Sequence, residues 1–174
     1  MASSSDVLVS VEEYLHTAYE PDCDYVDGRI EERNVGEGPH SQLQGALIGY
    51  LHPQEKKLNI RVWLSVRVRV TPTRYRIPDV CVTRGRGPVP NILESAPLIC
   101  IEILSSEDRM PRVLRRLDDY VNLGVTHIWL FDPYERIGYT YSSIGLKLSE
   151  DGIFPATEIL LTVNLADCFA AIDD

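Results

Sequence analysis

The sequence predicts an α/β fold on three observations. Apolar runs of strand length recur at residues 77–82, 98–104 and 126–131; helical stripes of apolar residues lie at 41–51 and 113–121; and Gly- or Pro-bearing segments separate them. A chain of 174 residues suits one domain spanning 1–174. No internal repeat or low-complexity linker divides it.

The elements follow in order. Ser10 and Glu13 have capping-box spacing, and Val11, Tyr14, Leu15 and Ala18 recur at helical intervals, which predicts a short helix over 10–18. Asp27-Gly28 then joins two short strands into a hairpin. Leu43, Ala46, Leu47, Tyr50 and Leu51 share a helical face that Pro53 ends. From 60 to 70 the chain alternates, with Val62, Leu64, Val66, Val68 and Val70 on one face and Arg61, Trp63, Arg67 and Arg69 on the other, which predicts one long strand. A turn at 71–73 leads into two apolar strands separated by the loop 85–90. A third helix starts after Ser105, with Pro111 in its first turn and Gly124 closing it. The strand 126–131, a hairpin of 137–141 with 146–148, and a helical stretch at 165–171 complete the chain.

Composition narrows the function classes. No apolar stretch reaches the roughly 18 residues of a membrane span, and residues 1–6 lack a basic region followed by an apolar one, so a cytoplasmic protein is expected. Cys23, Cys81, Cys100 and Cys168 form no Cys-x-x-Cys pair, which argues against a zinc knuckle, and Cys81 and Cys100, inside the apolar runs, are expected as reduced core residues. The net charge of −9 argues against a protein that coats nucleic acid. Its distribution is uneven, however. Residues 1–32 carry nine acids against Arg29 alone, whereas residues 33–120 carry fourteen Lys and Arg against nine acids. A polyanionic substrate remains compatible with that middle segment.

Two acids interrupt the apolar runs: Asp79, after Pro78, and Glu102, between Ile101 and Ile103. Carboxylates are seldom fully buried without a positive partner. Two on neighbouring strands, about 4.8 Å apart, can share one cation, and hard oxygen donors favour Mg2+ or Mn2+. Such an ion would stabilise the charge of a phosphodiester undergoing hydrolysis. The structural alternatives are that Asp79 caps a turn and that Glu102 pairs with an arginine such as Arg116.

With these residues in view, the chain resembles the Uma-type restriction endonuclease family of the PD-(D/E)XK nuclease superfamily, over nearly its full length. The resemblance runs through residues 10–15, 24–28, 39–41, 78–80 and 101–105, then Tyr120, Gly124-Val125 and residues 129–133. It implies a restriction-endonuclease-like mixed β-sheet flanked by helices, with an N-terminal helix and hairpin. It also implies Asp79 and Glu102 as ligands of Mg2+ or Mn2+, and DNA as the substrate. The family's lysine is absent from the E-x-K position, which is Leu104; fourteen residues after Glu102 stands Arg116 instead. His40 matches a family histidine at the start of the second helix, and Asp24 aligns with a family glutamate, which makes it a further candidate metal ligand.

The expected activity is metal-dependent hydrolysis of DNA by an endonuclease, with Asp79, Glu102, Arg116 and His40 at its centre. Arginine stays protonated and cannot serve as a general base. The alternative is therefore a catalytically inactive nuclease-fold module, binding nucleic acid through Arg67, Arg69, Arg74, Arg76, Arg112, Arg115 and Arg116, or regulating. An interaction or homodimerisation role for the apolar C-terminal hairpin stays open.

Overall fold

The computed structural model describes residues 7–34 and 36–174; residues 1–6, on which the expected lack of a leader rests, lie outside them. The chain begins with α1 (Val11–His16), β1 (Cys23–Val26), β2 (Arg29–Glu32), α2 (Gly38–Leu51) and the one-turn α3 (Glu55–Leu58). There follow β3 (Ile60–Leu64), β4 (Val68–Thr71), β5 (Arg74–Arg76), β6 (Val80–Arg84), β7 (Ile99–Ile103) and α4 (Met110–Leu123). The last elements are β8 (His127–Asp132), β9 (Ile137–Ser142), β10 (Gly145–Leu148), β11 (Ile153–Ala156), β12 (Leu161–Asn164) and α5 (Leu165–Asp173).

A six-stranded mixed sheet runs in the order β10-β9-β8-β7-β6-β3, with β7 and β8 parallel and the other pairs antiparallel. The parallel pair needs a crossover, which α4 supplies. A four-stranded sheet, β2-β1-β5-β4, carries the hairpin turned by Asp27 and Gly28, both at positive φ. The mixed sheet flanked by helices is therefore as expected from the resemblance.

Strand periodicity divides the core. Val80, Val82, Ile99, Ile101 and Ile103 face Leu43, Leu47 and Leu51 of α2, together with Cys168 and Phe169 of α5. Cys81 and Cys100 face the other way, packing with Val113, Leu117 and Tyr120 of α4. All four cysteines are free and buried, Cys81 and Cys100 as expected. Ser10 caps α1 by accepting the Glu13 N–H, and Gly124, at φ 95°, closes α4.

Four details depart from the sequence reading. The run 60–70 is two strands in different sheets: the chain turns at Ser65, φ 48°, so Leu64 is exposed while Val68 is buried. The third helix begins at Met110, because the Asp108 carboxylate reaches back to the Ser105 N–H and holds 105–108 as a turn ahead of it. The strand β5 was hidden in the polar triplet Arg74-Tyr75-Arg76. The hairpin of β11 and β12 was also unforeseen; its Phe154 packs against Phe131 and Trp129.

Candidate active site

The antiparallel register of β6 and β7 pairs Cys81 with Cys100 and Val80 with Ile101. One further step along both strands brings Asp79 opposite Glu102, on the face that carries Cys81 and Cys100 and therefore towards α4. Asp79 sits just before β6, where its carboxylate replaces a ladder partner: Oδ2 accepts the Ile103 N–H at 2.8 Å. Its own carbonyl accepts Nε2 of Gln44 from α2 at 2.9 Å. The two acids are 3% and 2% exposed.

Both acids turn an oxygen towards Arg33, which sequence reasoning missed. Arg33 Nη2 lies 2.7 Å from Asp79 Oδ1 and 3.7 Å from Glu102 Oε2. His40, in the first turn of α2, brings Nε2 to 3.2 Å from the same Asp79 oxygen. Glu102 is held from the other side by α4: Tyr120 donates its hydroxyl to Oε1 at 2.6 Å, and Arg116 donates Nη1 to Oε2 at 3.2 Å. Tyr120 and Arg116 are one helical turn apart, so the spacing that builds the apolar stripe also delivers both donors.

Asp24 stands on the far side of Arg116. The register of β1 and β5 pairs Tyr25 with Tyr75 and thereby brings Asp24 opposite Arg76. Its Oδ2 accepts Arg76 Nη1 at 3.1 Å and Arg116 Nε at 3.0 Å, while Oδ1 accepts the Ile77 N–H. Asp24, expected as a third ligand, thus directs its oxygens chiefly at these donors, with Arg33 Nη1 3.8 Å away. Arg76 continues the chain of ion pairs to Asp119 at 2.7 Å and Glu31 at 2.9 Å.

Electrostatics follow from burial and these partners. Burial alone would raise Asp24 and Asp79, but Arg116, Arg33 and Arg76 hold the former, and Arg33 and His40 the latter, below the usual carboxylate range. Burial, reinforced by the Asp79 charge, pushes Glu102 up to about 7 against the pull of Arg116. His40 is raised: burial opposes its charged form, and the hydrogen bond to Asp79 overcomes that.

Other expected residues go elsewhere. Arg67 donates to the Thr17 carbonyl beyond the end of α1 and to Asp22, and Arg74 pairs with Asp27 and Asp119. Asp119 accepts from Arg76, and Asp118 accepts the Tyr141 hydroxyl. Arg112 instead reaches the Glu32 carbonyl and lies 3.7 Å from Glu31. Beside the carboxylates runs a groove lined by Arg109, Arg112, Arg115 and Arg116, with Glu32, Glu107 and Asp108 on its walls. The only signal for Arg33 was a single cation after the acidic pair Glu31-Glu32, and for Arg76 an alternation of cation and tyrosine three residues long.

Among the described residues no group of three or more His, Cys, Asp or Glu is arranged to hold a metal ion. Two converging carboxylates nonetheless suit Mg2+, which is commonly bound by one or two carboxylates with water and substrate phosphate completing its shell. The Arg33 nitrogen already puts positive charge between Asp79 and Glu102, so the donor chemistry fits a hard cation.

No helix among the described residues is long and apolar enough to cross a membrane. No curated protein matches the chain. A crystal structure from Anabaena variabilis ATCC 29413, described as a "putative nuclease belonging to DUF820", superposes with a TM-score of 0.80 at 23% identity, covering 94% of this chain and 99% of that one. It shares the fold. The family model Uma2, "Putative restriction endonuclease", matches residues 11–163. That match spans both sheets and every residue of the ion-pair network, and the chain belongs to the Uma2 family.

Proposed function

We propose that the protein is a nuclease that hydrolyses DNA phosphodiester bonds with the help of Mg2+ or Mn2+, held by Asp79 and Glu102. The observation that carries this reading is the convergence of Asp79 Oδ1 and Glu102 Oε2 on one cationic nitrogen, beside a groove lined by arginines. When bound, the ion would supply Lewis-acid stabilisation of charge on the phosphate.

The chain's own side chains have separable tasks. Tyr120 and Arg116 fix the rotamer of Glu102 from α4, and the Ile103 N–H fixes that of Asp79. Asp24 orients Arg116 and Arg76 as a positioning residue. Arg116, where the resemblance implies a lysine, remains protonated and bridges Asp24 and Glu102, suited to hold charge and unsuited to accept a proton. His40 holds a proton at Nε2 against Asp79. Arg109, Arg112 and Arg115 offer phosphate contacts along the groove.

The test is incubation of the purified protein with single-stranded, duplex and branched DNA in Mg2+ or Mn2+, beside Asp79→Ala and Glu102→Ala. Cleavage that both substitutions abolish supports the reading; cleavage indifferent to them sinks it. The second reading, a nuclease-fold module that binds DNA without cutting, is favoured by one observation: cations of the chain itself already neutralise both acids. It predicts salt-sensitive DNA binding that Asp79→Ala leaves intact, with no cleavage at any metal concentration.

A further inference from the structure

We propose that Arg33 competes with the divalent ion for Asp79 and Glu102, so that metal binding is an exchange of one cation for another and not an addition. The inference rests on the metal-dependent reading above.

Three guanidinium groups serve Asp24, Asp79 and Glu102, and they are not held equally. Arg76 bonds Asp24, Glu31 and Asp119, and its side chain is 2% exposed. Arg116 bonds Asp24 and Glu102, and is 8% exposed. Arg33 has one short contact, from Nη2 to Asp79; its Nη1 is buried without a hydrogen-bond partner, and its side chain is 14% exposed. It also lines the small cavity at the mouth of the site, with Asn34, His40 and Ser105. Arg33 is the guanidinium with least to lose by leaving and a path along which to leave.

Charge balance argues for exchange. Buried Asp24, Asp79, Glu102 and Asp119 are met by Arg33, Arg76, Arg116 and the half-buried Arg74, while Glu31 and His40 stand at the edge of the network. A divalent ion added beside Arg33 would leave an excess of two positive charges in a site removed from water, which is unfavourable. Replacing Arg33 leaves an excess of one. The apparent metal affinity is then the intrinsic affinity reduced by the small fraction of molecules in which Arg33 has left. A phosphate entering the mouth would give the displaced guanidinium a new partner, so substrate and metal should bind cooperatively.

The experiment is Mn2+ titration by calorimetry of the full chain, comparing wild type, Arg33→Gln, and Arg61→Gln on β3, which bonds the Gly87 carbonyl, as control. The expected result is a dissociation constant at least tenfold lower in Arg33→Gln and unchanged in Arg61→Gln. Equal affinity in wild type and Arg33→Gln overturns the competition while leaving the carboxylate site standing. No binding by either, at millimolar Mn2+, overturns the metal site itself. To read the exchange without any substitution, the wild type is also labelled with 15N-arginine and titrated with Mg2+. The Arg33 side-chain signal should move while that of Arg76 stays, and an unmoved Arg33 signal at saturation rejects the exchange.

Discussion

Tyr120 and Glu102 are joined by a 2.6 Å hydrogen bond in which the phenol of α4 donates to a carboxylate of β7, both side chains being shut off from water. The bond satisfies Glu102 Oε1, and no other donor reaches that oxygen among the described contacts. Tyr120→Phe keeps the ring and removes only the donor. We expect a loss of about 1–3 kcal/mol in unfolding free energy, read from urea denaturation at pH 8. A variant as stable as the wild type would mean that water replaces the phenol.

Asp24 gives a pH prediction. Its carboxyl is held below the ordinary value of about 3.9 because Arg116, Arg33 and Arg76 outweigh the effect of burial. A carboxylate depressed on folding contributes stability that is complete above the unfolded value and is lost as pH falls through the folded one. Asp24→Asn should therefore be less stable than wild type at pH 7 by about 3–5 kcal/mol, the range for breaking a buried ion pair. The gap should narrow on acidification below about pH 4. Denaturation midpoints of both proteins between pH 2.5 and 7 would show it, and a gap independent of pH would count against the ion-pair origin.

Arg116 tests whether two contacts are needed at this point of α4. Its Nε serves Asp24 and its Nη1 serves Glu102, a span that a single ammonium cannot cover. Arg116→Lys should lose one of the two, at a cost of about 1.5–3 kcal/mol by chemical denaturation. Unchanged stability would show that lysine satisfies the site equally.

Gly138 makes a prediction away from the site. A Cβ there would lie 2.6 Å from Phe154 Cζ and 2.7 Å from Phe131 Cδ1, both in the core. Gly138→Ala should destabilise by about 1–3 kcal/mol through overpacking, measurable as a lowered melting temperature. If the rings simply shift, the melting temperature will not change.

The two acids could be found in the sequence because each breaks an apolar strand, a local pattern. Four of the five helices, all but the one-turn α3, and the hairpins at Asp27-Gly28 and 137–148 were legible for the same reason. What the sequence hid was set by pairing between distant segments. Nothing local shows that Asp79 falls opposite Glu102, or Asp24 opposite Arg76, since both follow from register. The break at Ser65 was invisible because the valine alternation continues through it while the chain changes sheets. Arg33 was overlooked for a related reason: a lone cation after a strand looks like a solvated surface residue until two carboxylates from 46 and 69 residues away in sequence arrive beside it.

The change of sheet at Ser65 also bears on how the molecule opens. Asp24 and Arg76 belong to the four-stranded sheet, Glu102 to the interior strand β7 of the six-stranded one with Asp79 just ahead of its neighbour β6, and Arg116 joins Asp24 to Glu102. The ion-pair network thus spans the two sheets, close to residues 77–79, where the chain passes from β5 of one to β6 of the other. Two amides are bonded to its carboxylates, Ile77 to Asp24 and Ile103 to Asp79. In hydrogen exchange these two should behave as one unit, released together when the network parts and more slowly than neighbouring loops.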